Sequence, residues 1–86
     1  MIANIYTIYD VKAEAYLTPF FLQNDAILKR TIQDTLSDPE HLFSKHPEDY
    51  VVYHCATYDD QTGDIKPEAP IKVMYKLIDL KPQKED

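Results

Sequence analysis

The sequence predicts a small α+β domain, in which one helix packs across an antiparallel sheet of about three strands in the order β-α-β-β. Segments rich in β-branched and aromatic residues stand near the start and in the second half of the chain, as strands require. Between them, apolar residues recur at the spacing of a helix. Three strands leave two open edges, and pairing of such edges between copies predicts a homo-oligomer.

The first strand is predicted over residues 1–9. Apolar residues occur at both odd and even positions of this segment, so both faces of the strand can be covered. The helix is predicted to begin at Asn24 or Asp25, which are good N-cap residues, and to end near Leu36 or Ser37. The apolar stripe that packs on the sheet comprises Leu28, Ile32 and Leu36.

The second and third strands are predicted over residues 50–58 and 71–80. Gly63 lies in the polar turn between them and suits a left-handed backbone conformation. Pro67 and Pro70 precede the third strand and indicate an edge, a bulge or a long loop, because proline donates no ladder hydrogen bond. Strand alternation would place Lys72 and Lys76 on one face of this strand.

Length and composition allow one domain, which we assign to residues 1–80, followed by a flexible tail at 81–86. The single cysteine, Cys55, allows no internal disulfide, as in a reducing compartment. Residues 1–10 do not resemble a signal peptide, and no apolar run approaches the ~20 residues of a membrane span. We therefore expect a cytoplasmic protein.

The residues that could support catalysis or metal binding are few. Gly63 is the one glycine, which excludes a glycine-rich phosphate loop. His54 and Cys55 are neighbours on a strand and point to opposite faces, so they cannot share a metal ion without a bulge. No base for Cys55 follows from the sequence. We therefore expect neither an enzyme nor a metal or cofactor.

Several strings in the chain resemble one family. Residues 10–16 read Asp-Val-Lys-Ala-Glu-Ala-Tyr and residues 46–50 read His-Pro-Glu-Asp-Tyr. These strings, with residues 5–9, 19–21 and 24–26, Arg30 and the turn at 59–63, resemble the small nonstructural protein of gokushoviruses, which are microviruses with single-stranded DNA genomes. The resemblance covers the chain up to about Ile65.

The resemblance implies a DNA-binding protein of phage genome replication that favours single-strand synthesis for packaging. It also implies a place in the cytoplasm of the bacterial host and no part in the capsid. Its partner would be single-stranded DNA of the phage genome. The net charge of −6 requires the cations to gather on one face, because an acidic surface repels DNA.

Tyrosines and cations are the candidate DNA-binding residues, since bases stack on aromatic rings and phosphates pair with Lys and Arg. The candidate stacking residues are Tyr6, Tyr9, Tyr16 and Tyr53, with Tyr58 as a further ring. The candidate phosphate-binding residues are Lys12, Lys29, Arg30 and Lys45. The alternative interpretation is that the rings fill the core and the cations lie on a solvated face.

A competing hypothesis is a protein-interaction module that regulates replication or packaging by binding a phage or host replication protein. The net negative charge favours this hypothesis, since an acidic surface can bind a basic partner. A contiguous positive stripe on the folded molecule favours DNA instead, and a uniformly negative surface favours a protein.

Overall fold

The computed structural model describes residues 1–81, so most of the predicted tail, residues 82–86, lies outside the described residues. The strands are β1 (Ile2–Asp10), β2 (Ala15–Tyr16), β3 (Phe20–Leu22), β4 (Tyr50–Asp59) and β5 (Ile65–Lys76). The helices are α1 (Asp25–Leu36), α2 (Leu42–Lys45) and α3 (Leu77–Leu80), with a 3₁₀ turn at Pro47–Asp49. None of these helices is long and apolar enough to cross a membrane.

All strand pairs are antiparallel, in the order β2-β1-β4-β5, and β3 also pairs with β1. Tyr9 pairs with Tyr16 of β2, and Tyr6 pairs with Phe20 of β3. Thus β2 and β3 lie along the same edge of β1 and are separated by three residues, of which Leu17 donates its backbone N–H to the Ile8 carbonyl at 2.8 Å. The opposite edge of the sheet is β5.

The predicted three-stranded sheet with one helix is wrong, because the sheet has five strands and the described residues form three helices. The strands missed are only two and three residues long. Such short segments carry too few residues for an alternation pattern, and they are strands only because they pair with β1. The third predicted strand begins earlier, at Ile65, and its last four residues form α3.

The bounds predicted for the central helix are confirmed. The side chain of Asn24 accepts a hydrogen bond of 2.9 Å from the Ile27 backbone N–H, which satisfies one of the free donors at the helix start. The predicted stripe is buried, and it packs with residues of β1, β4 and α3. This core comprises Tyr6, Ile8, Leu28, Ile32, Leu36, Tyr50, Val52 and Leu77.

The main hydrophobic cluster lies on one face of the sheet. Phe43 of α2 and Leu80 of α3 pack against the same core as α1, so the three helices share this face. Because strand side chains alternate, Thr7 and Tyr9 of β1 and Tyr53 of β4 point to the opposite face. We call this opposite side the helix-free face, since no helix of residues 1–81 contributes to it.

Gly63 has φ of +77°, as its place in the β4–β5 turn predicted. Its backbone N–H donates to the Asp59 carbonyl at 2.7 Å, and the Asp59 N–H donates to the Asp64 carbonyl at 3.0 Å. A residue with a Cβ is strained at this φ, which accounts for glycine here.

Candidate nucleic-acid interface

Three of the predicted tyrosines meet on the helix-free face. The ring centroids of Tyr9 and Tyr16 are 4.8 Å apart, and those of Tyr16 and Tyr53 are 5.9 Å apart. Tyr9 pairs with Tyr16 across β1 and β2, while Thr7 pairs with Tyr53 across β1 and β4, so the register places the three rings side by side. We call these three residues the tyrosine cluster.

The rings of the tyrosine cluster differ in exposure. Tyr16 is 52% exposed because β2 is a short strand at the edge of the sheet. Tyr9 and Tyr53 are half-buried. The planes meet at 56° and 69°, so the cluster does not form one flat surface. A base can stack on Tyr16, and the neighbouring rings can hold Tyr16 in position.

Tyr6, the fourth predicted stacking residue, is fully buried on the helix side. Its ring lies 6.0 Å from Phe20, and its hydroxyl donates a hydrogen bond to the Asp25 carboxylate at the start of α1. Burial raises the pKa of Tyr6 well above its usual range, and the bond to Asp25 adds to the shift. A ring with no exposed surface cannot stack on a base, so Tyr6 is a core residue that joins β1 to α1.

Two lysines are near the tyrosine cluster in the strand register or along the chain. Lys12 is exposed in the turn that follows β1. Lys76 of β5 pairs with Val51, and Val51 pairs with Tyr9, so Lys76 stands on the helix-free face. Lys76 thus lies two strands from Tyr9 in the register, and Lys12 follows Tyr9 by three residues in the chain.

The prediction that Lys72 and Lys76 share a face is wrong. Lys72 pairs with His54, whose ring meets Tyr6 on the helix side, whereas Lys76 stands on the helix-free face. The register shifts by one residue at Met74, and both Met74 and Tyr75 pack against the core. One extra residue in a strand sends every following side chain to the opposite face of the sheet.

The other predicted cations lie away from the tyrosine cluster. Lys29 and Arg30 are exposed on α1, which packs on the opposite face of the sheet. Lys45 ends α2 on the same side, and its ammonium lies 3.8 Å from the Glu40 carboxylate. The structure therefore separates these three cations from the rings, and the predicted set does not form a single surface.

A second pair of rings lies further along the helix-free face. Phe21, which pairs with Ile5, is 54% exposed, and its ring meets that of Tyr58 edge-on at 5.8 Å. Phe21 was absent from the predicted site, because only the pairing of β3 with β1 sends Phe20 to the core and Phe21 to the surface. Alternation within a recognised strand is the signal that could have found it.

Charge differs between the two ends of the helix-free face. The β4–β5 turn beyond Tyr58 carries Asp60 and Asp64, both exposed. The amino group of Met1 lies 2.7 Å from the Asp60 carboxylate, whose hydrogen bond raises the pKa of that amine. At the other end, Lys12 is near Asp10, whose carboxylate accepts from the Lys12 backbone N–H at 3.0 Å. Positive charge is thus local and modest.

Cys55 and the histidines form no shared site in the part of the chain described here. The Cys55 thiol donates to the Ile5 carbonyl at 3.3 Å, and burial raises its pKa, so the reactive thiolate is disfavoured. Side-chain atoms of His46, Glu48 and Asp49 lie within 4.8 Å of one another at the 3₁₀ turn. His46 and Glu48 are exposed and Asp49 half-buried, which is common for polar groups in a turn.

Comparison with known protein families gives one match, to a family described as Phage ORF5 protein, over residues 3–80. The match extends beyond Ile65, where the resemblance read from the sequence ends. Comparison with curated proteins and with solved structures gives no match.

The burial of Tyr6 predicts that stability falls in alkaline solution. Unfolded tyrosine ionises near pH 10, whereas folded Tyr6 retains its proton, so the stabilisation is complete below about pH 10 and is lost above it. Urea unfolding between about pH 9 and about pH 11 should show a smaller loss for Tyr6→Phe than for the unchanged protein.

The exposed ring provides the control for this measurement. Tyr16→Phe should keep the full alkaline loss, because Tyr16 is exposed in the folded chain. Burial also raises the pKa of Tyr50, so Tyr6→Phe should reduce the loss and not abolish it. Equal pH dependence of Tyr6→Phe and Tyr16→Phe would contradict the assignment of Tyr6 to the core.

Proposed function

Because the chain belongs to the Phage ORF5 protein family, we propose that it is a phage accessory protein that binds single-stranded DNA during genome replication. The tyrosine cluster carries this proposal: three rings in contact on a helix-free sheet face, one of them 52% exposed. Such a ring suits nucleotides whose bases are unpaired, since every base has a face that can stack.

The strings at residues 10–16 and 46–50 support the place of this activity in a phage cycle. They resemble the nonstructural protein of gokushoviruses, which implies a role in the change from duplex replication to single-strand synthesis in the host cytoplasm. Two of the residues that would act, Lys12 and Tyr16, are on the first of these strings. The protein would act by binding and not by catalysis.

In the proposed complex, one base stacks on Tyr16, and the ammonium groups of Lys12 and Lys76 approach the adjoining phosphates. Few phosphates are neutralised, so affinity should depend only weakly on salt. In a plot of the logarithm of the binding constant against the logarithm of the salt concentration, each phosphate contact should contribute about 0.7 to the slope. Stacking then supplies more of the binding energy than charge does. This balance is compatible with a net charge of −6, because the acidic turn of Asp60 and Asp64 lies at the far end of the face.

A second candidate function is binding of a basic phage or host replication protein. The end of the helix-free face that carries Phe21 and Tyr58 favours it, because exposed Phe21 and Ile65 lie near the acidic turn. An exposed apolar patch rimmed by carboxylates suits a protein with cationic and apolar residues. DNA binding and protein binding would use different ends of this face.

Replacing the exposed ring tests the stacking proposal. Tyr16→Leu should weaken binding of a fluorescent single-stranded oligonucleotide about 5- to 150-fold, the loss of one stacked base of about 1–3 kcal/mol. Tyr16→Phe retains a ring and should bind like the unchanged protein. Fluorescence anisotropy at low salt gives both dissociation constants.

Two results would contradict the stacking proposal. If the unchanged protein does not bind at micromolar concentration in low salt, direct DNA binding is wrong and protein binding becomes the better hypothesis. If Tyr16→Leu and Tyr16→Phe bind equally, any DNA-binding surface lies elsewhere on the molecule.

The lysines on the two sides of the sheet allow a second test. Lys76→Gln should lower the salt slope of single-stranded DNA binding by about 0.7, because it removes one phosphate contact. Lys29→Gln removes the same charge from α1, on the opposite face, and should leave the slope unchanged. A salt slope that responds to Lys29→Gln as strongly as to Lys76→Gln argues for a helix-side surface.

We also propose that copies of the chain associate through β5. This strand forms an edge of the sheet, and Val73 on it is 53% exposed. An open edge can pair with a second copy, and a charge in place of the exposed Val73 would oppose the approach of that copy. Light scattering should give a mass above that of one chain, and Val73→Lys should reduce it to one chain.

The matched control for association is Ile78→Lys, on α3, where Ile78 is 47% exposed. It adds the same charge outside the edge strand and should leave the mass unchanged. A single-chain mass for the unchanged protein at high micromolar concentration excludes association through β5.

A further inference from the structure

A half-buried histidine connects three strands on the helix side of the sheet. The Nε2 atom of His54, on β4, lies 2.9 Å from Oδ1 of Asn4, on β1. Its Nδ1 atom lies 3.1 Å and 3.2 Å from the two carboxylate oxygens of Glu68, on β5. The side chain is only 13% exposed, so both nitrogens depend on these two partners.

The orientation of Asn4 decides where one proton is. The Nδ2 group of Asn4 donates to the Gln23 carbonyl at 2.9 Å, and a carbonyl oxygen can only accept. Oδ1 of Asn4 therefore faces His54, and Oδ1 can also only accept. It follows that Nε2 of His54 carries a hydrogen.

The second nitrogen then requires another proton. A neutral imidazole with hydrogen on Nε2 presents a lone pair at Nδ1, and an ionised carboxylate presents lone pairs as well. Two acceptors at 3.1 Å repel each other, whereas one proton between them makes a charge-assisted hydrogen bond. We propose that His54 and Glu68 bind one shared proton, and that this proton holds a bulge of β5 against the sheet.

The bulge is visible in the strand register. His54 pairs with Lys72 and Ala56 pairs with Pro67, so the four residues from Glu68 to Ile71 stand opposite the single residue Cys55. Because four residues of β5 face one residue of β4, the regular backbone hydrogen bonds between the two strands are interrupted here. The contact from Glu68 to His54 is the side-chain hydrogen bond that returns this segment to β4.

Other charged and titratable groups surround the shared proton. Lys72 of β5 and Asp25 of α1 line a cavity of about 170 Å³ with His54, Glu68, Asn4 and Met74. Tyr6 of β1 meets the His54 ring edge-on at 5.4 Å, and its hydroxyl is bound to Asp25. Lys72 opposes a further positive charge here, whereas Asp25 and Glu68 favour it.

Loss of the shared proton would place a lone pair of Nδ1 against the Glu68 carboxylate and would release the bulge of β5.

Glu68→Gln tests the shared proton independently of the hydrogen bond. The amide that replaces the carboxylate can donate to an unprotonated Nδ1 of His54, so this variant keeps the contact without binding a proton. The Nδ1 atom of His54 should therefore be unprotonated in Glu68→Gln and should carry the shared proton in the unchanged protein, and nuclear magnetic resonance distinguishes the two states. Glu14→Gln, at an exposed turn, is the matched control and should follow the unchanged protein.

Nuclear magnetic resonance of the imidazole nitrogens tests the same proton directly. His41 is the internal reference, because its Nδ1 accepts from the Phe43 backbone N–H at 3.1 Å and so carries no hydrogen. At neutral pH, His54 should show hydrogen on Nε2 and a proton shared at Nδ1, while His41 shows one unprotonated nitrogen. A proton at Nδ1 of His54 in both Glu68→Gln and the unchanged protein, or a bare Nδ1 on His54 in the unchanged protein, would overturn the proposal.

Discussion

The packing of α1 on one face of the sheet is the constraint on which the rest of the molecule depends. Tyr6, Ile8 and Val52 are buried beneath the helix, and the Tyr6 hydroxyl binds Asp25 at the helix start. Strand side chains alternate, so burying these residues sends their neighbours to the other side. The helices cover one face only, and the tyrosine cluster is the consequence on the face that they leave open.

This arrangement divides the cations of an acidic chain between two surfaces. Lys29 and Arg30 belong to α1 and lie on the helix side, while Lys12 and Lys76 remain near the tyrosine cluster. A surface with two lysines and nearby carboxylates attracts phosphate weakly, so ring stacking has to supply most of the proposed affinity. Such a protein would prefer unpaired bases over duplex DNA, whose bases are stacked on one another.

Register shifts in the β4–β5 pair account for features that alternation alone misses. One extra residue at Met74 puts Lys72 and Lys76 on opposite faces. A longer bulge from Glu68 to Ile71 brings a carboxylate back to His54, which also binds Asn4 of β1. Both irregularities lie on an edge strand, where a lost ladder bond is exposed to solvent and costs less than it would inside the sheet.

Local chemistry determined the elements that the sequence predicts well. The Asn24 cap and the stripe of Leu28, Ile32 and Leu36 define α1 by themselves, and Gly63 defines the β4–β5 turn, because caps, helical periodicity and backbone conformation act over a few residues. The sequence also named Tyr9, Tyr16 and Tyr53 as candidate rings. Only the tertiary structure decided that these three meet while Tyr6 is buried, that β2 and β3 are strands, and that Phe21 is exposed. Those outcomes depend on register between residues distant in the chain, and register is set by packing across the whole sheet.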